Sequence, residues 1–180
     1  EMLEQVLPRD DLSSAEAGVM LAGITLDTKQ FTSNVGTRTF SAAMYLRDRG
    51  ASPAEVQELF RESFDDYMRE AKFRRNVEIY RGICAITIVG DTDGGDHVIA
   101  AKAANNLLRV NGVEASFALI ALPDMVHISA RSRGGMNVQL VLEELGGGGH
   151  FDMAGAQCRN TPLDEVVARL KDAIDRHMPE

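Results

Sequence analysis

Hydrophobic positions recur along this chain with two periods, and the change from one to the other falls near Gly82. In the first part apolar residues return at helical spacing. Ser13 and Glu16 have the spacing of a capping box ahead of Ala15–Ala22, and Gly23 offers a left-handed stop. Ile24–Phe31 reads as a loop, and a short helix is predicted from about Thr39 to Arg49, closed by Gly50. Ser52, Pro53 and Glu55 supply an N-cap, a first-turn proline and a carboxylate at the third position. Val56, Leu59, Phe60, Phe64, Tyr67 and Ala71 then form one stripe, which shifts to Phe73, Val77 and Tyr80. That pattern predicts one long helix connecting two domains, with a bend or a change of packing partner near Arg74–Asn76; the competing reading is an ordinary core helix of one domain.

Beyond Gly82 the apolar positions become continuous or alternate. Ile83–Val89 is β-branched and predicts a buried strand, followed by a turn at Asp91–Gly95. His97–Val110 reads as an alanine-rich helix ending at Asn111 and Gly112. Ala115–Leu122 and Met125–Arg131 are two strands joined at Pro123 and Asp124. Asn137 can cap a helix whose Val138, Val141, Leu142 and Leu145 share one face. A glycine loop, a short strand near Ala156–Arg159 and a last helix follow, with Thr161 as cap, Pro162 in the first turn and Asp164 completing the box. The fold class expected is α/β: a small mixed-sheet domain with flanking helices, preceded by a helical segment and a linker helix.

Composition narrows the functional classes. A net charge of -8 over 180 residues argues against a sequence-independent nucleic-acid binder, which needs a basic surface to displace counterions. A small anionic ligand stays compatible, since a few cations and backbone N–H groups can hold it. Cys84 and Cys158 lie in apolar runs without CxxC spacing and are expected as buried thiols. Glu1-Met2-Leu3-Glu4 lacks the basic and apolar regions of a signal peptide, and no apolar run approaches the ~20 residues that cross a bilayer. A chain opening on glutamate, close to a helix, reads as part of something longer.

The sharpest chemical feature is Gly146-Gly147-Gly148-Gly149-His150. Gly146 suits the C-cap of the preceding helix. Gly147, Gly148 and Gly149 have no side chains and can bring N–H groups close to an anion, with His150 as a further donor. The competing reading is a flexible linker, which the surrounding apolar segments disfavour. In Met125–Arg131, Val126, Ile128 and Ala130 alternate with His127, Ser129 and Arg131. One strand face therefore carries a hydroxyl and a guanidinium, the group best matched to phosphate. By itself this is an ordinary solvated face; beside the glycine loop it becomes a candidate site. Asp27 has no metal-ligand partners at motif spacing. His97 reads as a turn residue, His127 as a surface residue, and His177 as favouring the end of the last helix.

Taken together, Leu21–Phe31, Thr37-Arg38-Thr39-Phe40, Ser129-Ala130-Arg131-Ser132, Asn137-Val138-Gln139 and the GGGGH loop resemble the DHH phosphoesterase superfamily. Within it they resemble the cyclic-di-AMP phosphodiesterases on the cytoplasmic side of a membrane anchor, and the resemblance covers essentially the whole chain. It implies that residues 1–50 end a DHH catalytic domain, that 51–81 form a helical linker, and that 82–180 form the DHH-associated substrate-binding domain. It further implies manganese as cofactor with Asp27 as a ligand, and substrate binding by Ser129, Arg131, Gly147, Gly148, Gly149 and His150. The reaction implied is hydrolysis of cyclic-di-AMP to linear pApA, with a short-oligonucleotide exonuclease or a non-catalytic nucleotide- or nucleic-acid-binding module as alternatives. The superfamily's HxDxD and DHH motifs are absent from these residues, so this fragment alone is expected to be inactive. A cyclic dinucleotide or short oligonucleotide is the partner expected, without direct membrane contact by this segment; the resemblance also allows a homodimer.

Overall fold

Side-chain caps at Ser13, Ser52, Ser63 and Asn137 start four of the helices, and the computed structural model describes residues 11–90 and 97–178. The chain divides into two compact units, Glu1–Glu62 and Ser63–Glu180. The turn expected at Asp91–Gly95 and the opening residues Glu1–Glu4 lie outside the described residues.

In the first unit, Ser13 and Glu16 make the capping box, with the Glu16 carboxylate accepting from the Ser13 N–H at 2.9 Å. The helix α1 (Ser14–Asp27) does not stop at Gly23 as expected. A mid-helix glycine costs only about 1 kcal/mol relative to alanine, and the two here, Gly18 and Gly23, are outweighed by burying the face that carries Ala17, Leu21 and Thr25. The Thr25 and Thr28 hydroxyls donate to the Leu21 and Ile24 carbonyls at 2.8 and 2.7 Å. The chain then turns through three successive non-glycine residues at positive φ, Lys29 (48°), Gln30 (61°) and Phe31 (61°). Gln30 N–H to Thr25 O (2.7 Å) and Phe31 N–H to the Thr28 hydroxyl (2.9 Å) hold that turn. Helix α2 (Thr37–Asp48) closes at Gly50, φ 89°, and Ser52 caps α3 (Pro53–Glu58). Ala17, Leu21, Leu46, Ala51 and Val56 form this unit's core.

The second unit overturns the expected long linker helix. Ser63 starts a new helix, α4 (Phe64–Arg75), by accepting from Asp66 N–H at 3.1 Å, with Asp65 and Asp66 in the first turn. Asn76 leaves helical geometry (φ -122°), and the next residues form strand β1 (Val77–Tyr80) on β2 (Cys84–Gly90). The spacing of Phe73, Val77 and Tyr80 matches a helix by coincidence, because this edge strand exposes both Glu78 and Ile79. Helix α5 (His97–Leu107) crosses over to β3 (Ala115–Ala121), parallel to β2. Strand β4 (Met125–Ser132) returns antiparallel, followed by α6 (Val138–Glu143), β5 (Gly148–His150), β6 (Met153–Arg159) and α7 (Leu163–Arg176). Pro162 takes the N-cap position of α7, and the Thr161 hydroxyl donates to Arg159 O instead of capping.

The six-stranded mixed sheet has the order β1-β2-β3-β4-β6-β5. One face, with Ile86, Phe117, Leu119 and Ile128, is buried under α6 and α7 through Val138, Val141, Leu142, Val166, Leu170 and Ile174. The opposite face is covered over β2 and β3 by α5 and by Phe73 of α4, against Ala118 and Ile120. Cys84 and Cys158 are free and buried as expected, and burial pushes the Cys84 thiol up to about 11. Among the described residues, no helix is long and apolar enough to cross a membrane.

Candidate functional site

Strand alternation puts His127, Ser129 and Arg131 on the α5 side of the sheet, and the register extends that row pattern sideways. Ser129 lies opposite Gly155 of β6, which lies opposite Gly148 of β5. Arg131 lies opposite Met153, which lies opposite His150. Antiparallel partners share a face, so Ser129, Arg131, Gly148 and His150 all stand on one side. Two strand spacings, about 10 Å, separate β4 from β5. Met153, Gln157 and Arg159 on that side of β6 are exposed, so among the described residues of this unit no helix covers this half of the sheet.

Helix α5 forms the rim of the open half. His97, Ala101 and Asn105 recur every four residues along one edge of it. Four helical residues rise about 6 Å and two strand residues about 6.8 Å, so this edge keeps step with His127, Ser129 and Arg131. Contacts at both ends bear the alignment out. The His97 and His127 rings sit 5.9 Å apart, edge to face at 67°. At the other end Arg131 Nε donates to Asn105 Oδ1 at 3.1 Å. Between them Ala101, Gly155 and Gly148 are small, leaving a trough, and a Cβ at Gly148 would meet nothing within 4 Å. A separate groove of about 510 Å³ lies on the far side of α5, between α4 and α5, walled by Phe73, Val77, Ala103 and Leu107.

The Arg131 guanidinium is aimed by that bond and by Nη1 donating to Ala130 O at 2.8 Å, which leaves Nη2 without a described partner. Burial pulls its pKa below the usual arginine value, and the nearby Asp152 carboxylate opposes the change. It remains a fixed cation with donors to spare. Ser129 is only 5% exposed, at the floor of the trough, with its hydroxyl 3.4 Å from His127 Nε2. His127 is half-buried rather than a plain surface residue. Burial first and the neighbouring His97 second hold its pKa below the ordinary histidine value, which favours the neutral ring.

The glycine segment is more ordered than a loop. Gly146 adopts φ 78°, the left-handed cap expected. Gly147 donates its N–H to Leu142 O at 2.8 Å, so that group is already engaged. A Cβ at Gly147 would stand 2.3 Å from Gly155 O, and one at Gly149 would stand 2.4 Å from Met153 O. Both glycines let β5 run close against β6. Gly148 faces open space with nothing within 4 Å, and His150 is exposed at the strand's end.

Asp27 is exposed at the end of α1, in the other compact unit. Among the described residues no three His, Cys, Asp or Glu side chains converge as a metal site. The donors present do not fit a two-metal centre. His177 serves structure: its Nε2 lies 2.7 Å from Glu144, which also pairs with Arg176. His97, His127 and Asn105 escaped the sequence reading as a group, although the i, i+4, i+8 spacing of His97, Ala101 and Asn105 marks one helix edge.

Residues 82–178 match the DHHA1 domain family. Over 175 residues the chain is 43% identical to the cyclic-di-AMP phosphodiesterase GdpP of Geobacillus thermodenitrificans, covering 97% of this chain and 27% of that protein. The Bacillus subtilis protein of the same name is 41% identical over 180 residues, covering 98% and 27%. Among solved structures, an exopolyphosphatase-related protein from Bacteroides fragilis superposes with a TM-score of 0.84 at 20% identity, covering 97% of this chain and 54% of that one, a likeness of fold. The chain spans about a quarter of the length of the curated relatives it matches.

Proposed function

We propose, since the chain belongs to the DHHA1 domain family, that its second unit is the substrate-binding part of a phosphodiesterase that opens cyclic-di-AMP to linear pApA. The observation that carries this reading is the register that gathers Ser129, Arg131, Gly148 and His150 on one face of the sheet. A pre-aimed guanidinium suits a phosphodiester oxygen, because its fork is already ordered before the ligand arrives. Gly148 leaves the space a phosphate needs, and His150 adds a donor at the sheet edge. Holding the dinucleotide here would orient the scissile bond toward a catalytic centre on another part of the protein. Residues 1–50 belong to the end of that catalytic domain, and 63–81 fold with the substrate-binding unit. Asp27 would contribute one ligand to a manganese centre completed by residues outside those described, on the cytoplasmic side of a membrane-anchored protein.

Calorimetric titration of the chain tests this reading. Cyclic-di-AMP should outcompete short linear RNA. Arg131→Ala should weaken cyclic-di-AMP binding by about 1.5–3 kcal/mol, the worth of a hydrogen bond from a charged donor. Arg109→Ala, at the far-side groove, is the control and should leave affinity unchanged. Arg159 is unsuitable as a control, because it lies on the same open face, one row beyond His127. Unchanged affinity in the Arg131 variant would refute the site. With added manganese the chain should hydrolyse cyclic-di-AMP negligibly, because Asp27 alone cannot hold two metal ions ~3.5–4 Å apart. Turnover by the pure chain would overturn that division of labour.

A further inference from the structure

The trough has two chemically different ends. Arg131 and Asn105 form one, charged and rich in donors. His97 and His127 form the other, two imidazoles in edge-to-face contact. The small residues Ala101, Gly155 and Gly148 lie between, and His127 is tied to the floor by its contact with Ser129 Oγ. A phosphate at Arg131 leaves the rest of its nucleotide to extend somewhere, and the open direction along β4 leads to the imidazole pair. Resting on the nucleotide-binding reading above, we infer that His127, braced by His97, is the nucleobase platform of this site and takes a planar heteroaromatic base.

Three physical features fit that occupant. An imidazole ring offers a flat face for a base, and stacking of this kind is tolerant of sequence because every base has a π-face. His97 holds the His127 ring in place before the ligand arrives, which lowers the ordering cost of binding. A neutral ring suits a neutral base better than it suits a second phosphate, and burial favours the neutral form of His127. The groups around it are His97 on α5, Ser129 and Arg131 on its own strand, Ile120 on β3, and Gln157 and Arg159 on β6. Gln157 lies directly opposite His127, where its amide can meet the edge of a base.

The test compares two ligands that share a phosphate and a ribose but differ in the base: AMP and ribose 5-phosphate. Both are titrated into the full chain and followed by NMR. His127→Ala should weaken AMP roughly tenfold, the scale of one lost base–aromatic stack, and leave ribose 5-phosphate unchanged. His127→Phe keeps a flat ring and should keep the preference for AMP. His97→Ala, at an exposed position that does not threaten folding, should reduce that preference by less. In wild type, the imidazole resonances of His97 and His127 should move with AMP and stay put with ribose 5-phosphate. Equal weakening of both ligands, or an AMP affinity unaffected by His127→Ala, would overturn the platform. The parallel Arg131→Ala titration separates the two readings. Loss of both ligands there with no His127 effect condemns only the platform, whereas no loss there condemns the phosphate site beneath it.

Discussion

Three adjacent glycines meet different surroundings and predict different outcomes. Gly147→Ala and Gly149→Ala force a Cβ into the backbone of β6 at 2.3–2.4 Å and should each destabilise by about 1–3 kcal/mol, as overpacking does. Gly148→Ala should stay within about 1 kcal/mol of wild type, because its Cβ meets open space and its chain entropy falls. Urea midpoints decide, and equal losses at all three would deny the close approach of β5 to β6. Gly148→Val then becomes a clean probe of the site, since it fills the face without breaking the strand. At this scale the shared strand face of Ser129 and Arg131 was legible in the sequence, because a strand's period of two is visible locally. His127 was undervalued because what lifts it above a surface residue is His97, thirty positions earlier on another element. No local pattern connects the two.

At the scale of elements, the last helix is tied to the first strand by charge. Asp175 of α7 accepts from Arg81 Nε (2.8 Å) and Nη2 (2.6 Å) and from the Tyr80 hydroxyl (3.0 Å), while Lys171 reaches Glu78 at 2.7 Å. The Arg81 bonds hold the Asp175 carboxyl below its usual range, and Arg81 itself is pushed further up. Because the folded value is depressed, this contribution is present above the unfolded value of about 3.9 and is lost as pH falls through the folded one. Asp175→Asn should therefore be less stable than wild type at neutral pH, with the gap closing in acid. A gap that widens in acid would contradict the assignment. The strand that receives this clamp is the one the hydrophobic pattern misread. Val77 and Tyr80 continued a helical stripe from Phe73, and only pairing with β2, a tertiary contact, makes them a strand. β5 was hidden for the opposite reason, since glycines give no alternation to read.

For the whole molecule, the division at Glu62 and Ser63 sets where the chain can be cut. Leu59 and Phe60 are exposed between α3 and α4, so limited chymotrypsin digestion should release a resistant fragment beginning near Ser63. A fragment starting at Ser63 should melt cooperatively. One starting at Gly82 should melt lower, because it lacks β1 and also α4, whose Phe73 packs on Ile99 and Ala103 and whose Phe73 carbonyl accepts the Thr87 hydroxyl. Equal melting temperatures would show that residues 63–81 are dispensable.

The place of β4 in the sheet also governs when this molecule is safe to make. Its hairpin partner β3 precedes it closely, but its other neighbour, β6, is not complete until Arg159. Until then β4 is an open edge, a template for pairing with any other nascent chain. The strand that carries His127, Ser129 and Arg131 is thus a sticky edge during synthesis and an interior strand afterwards. A pause in synthesis before β6 is free to pair would leave the chain at its most aggregation-prone, with Ser129 and Arg131 already on a strand whose second neighbour is still missing.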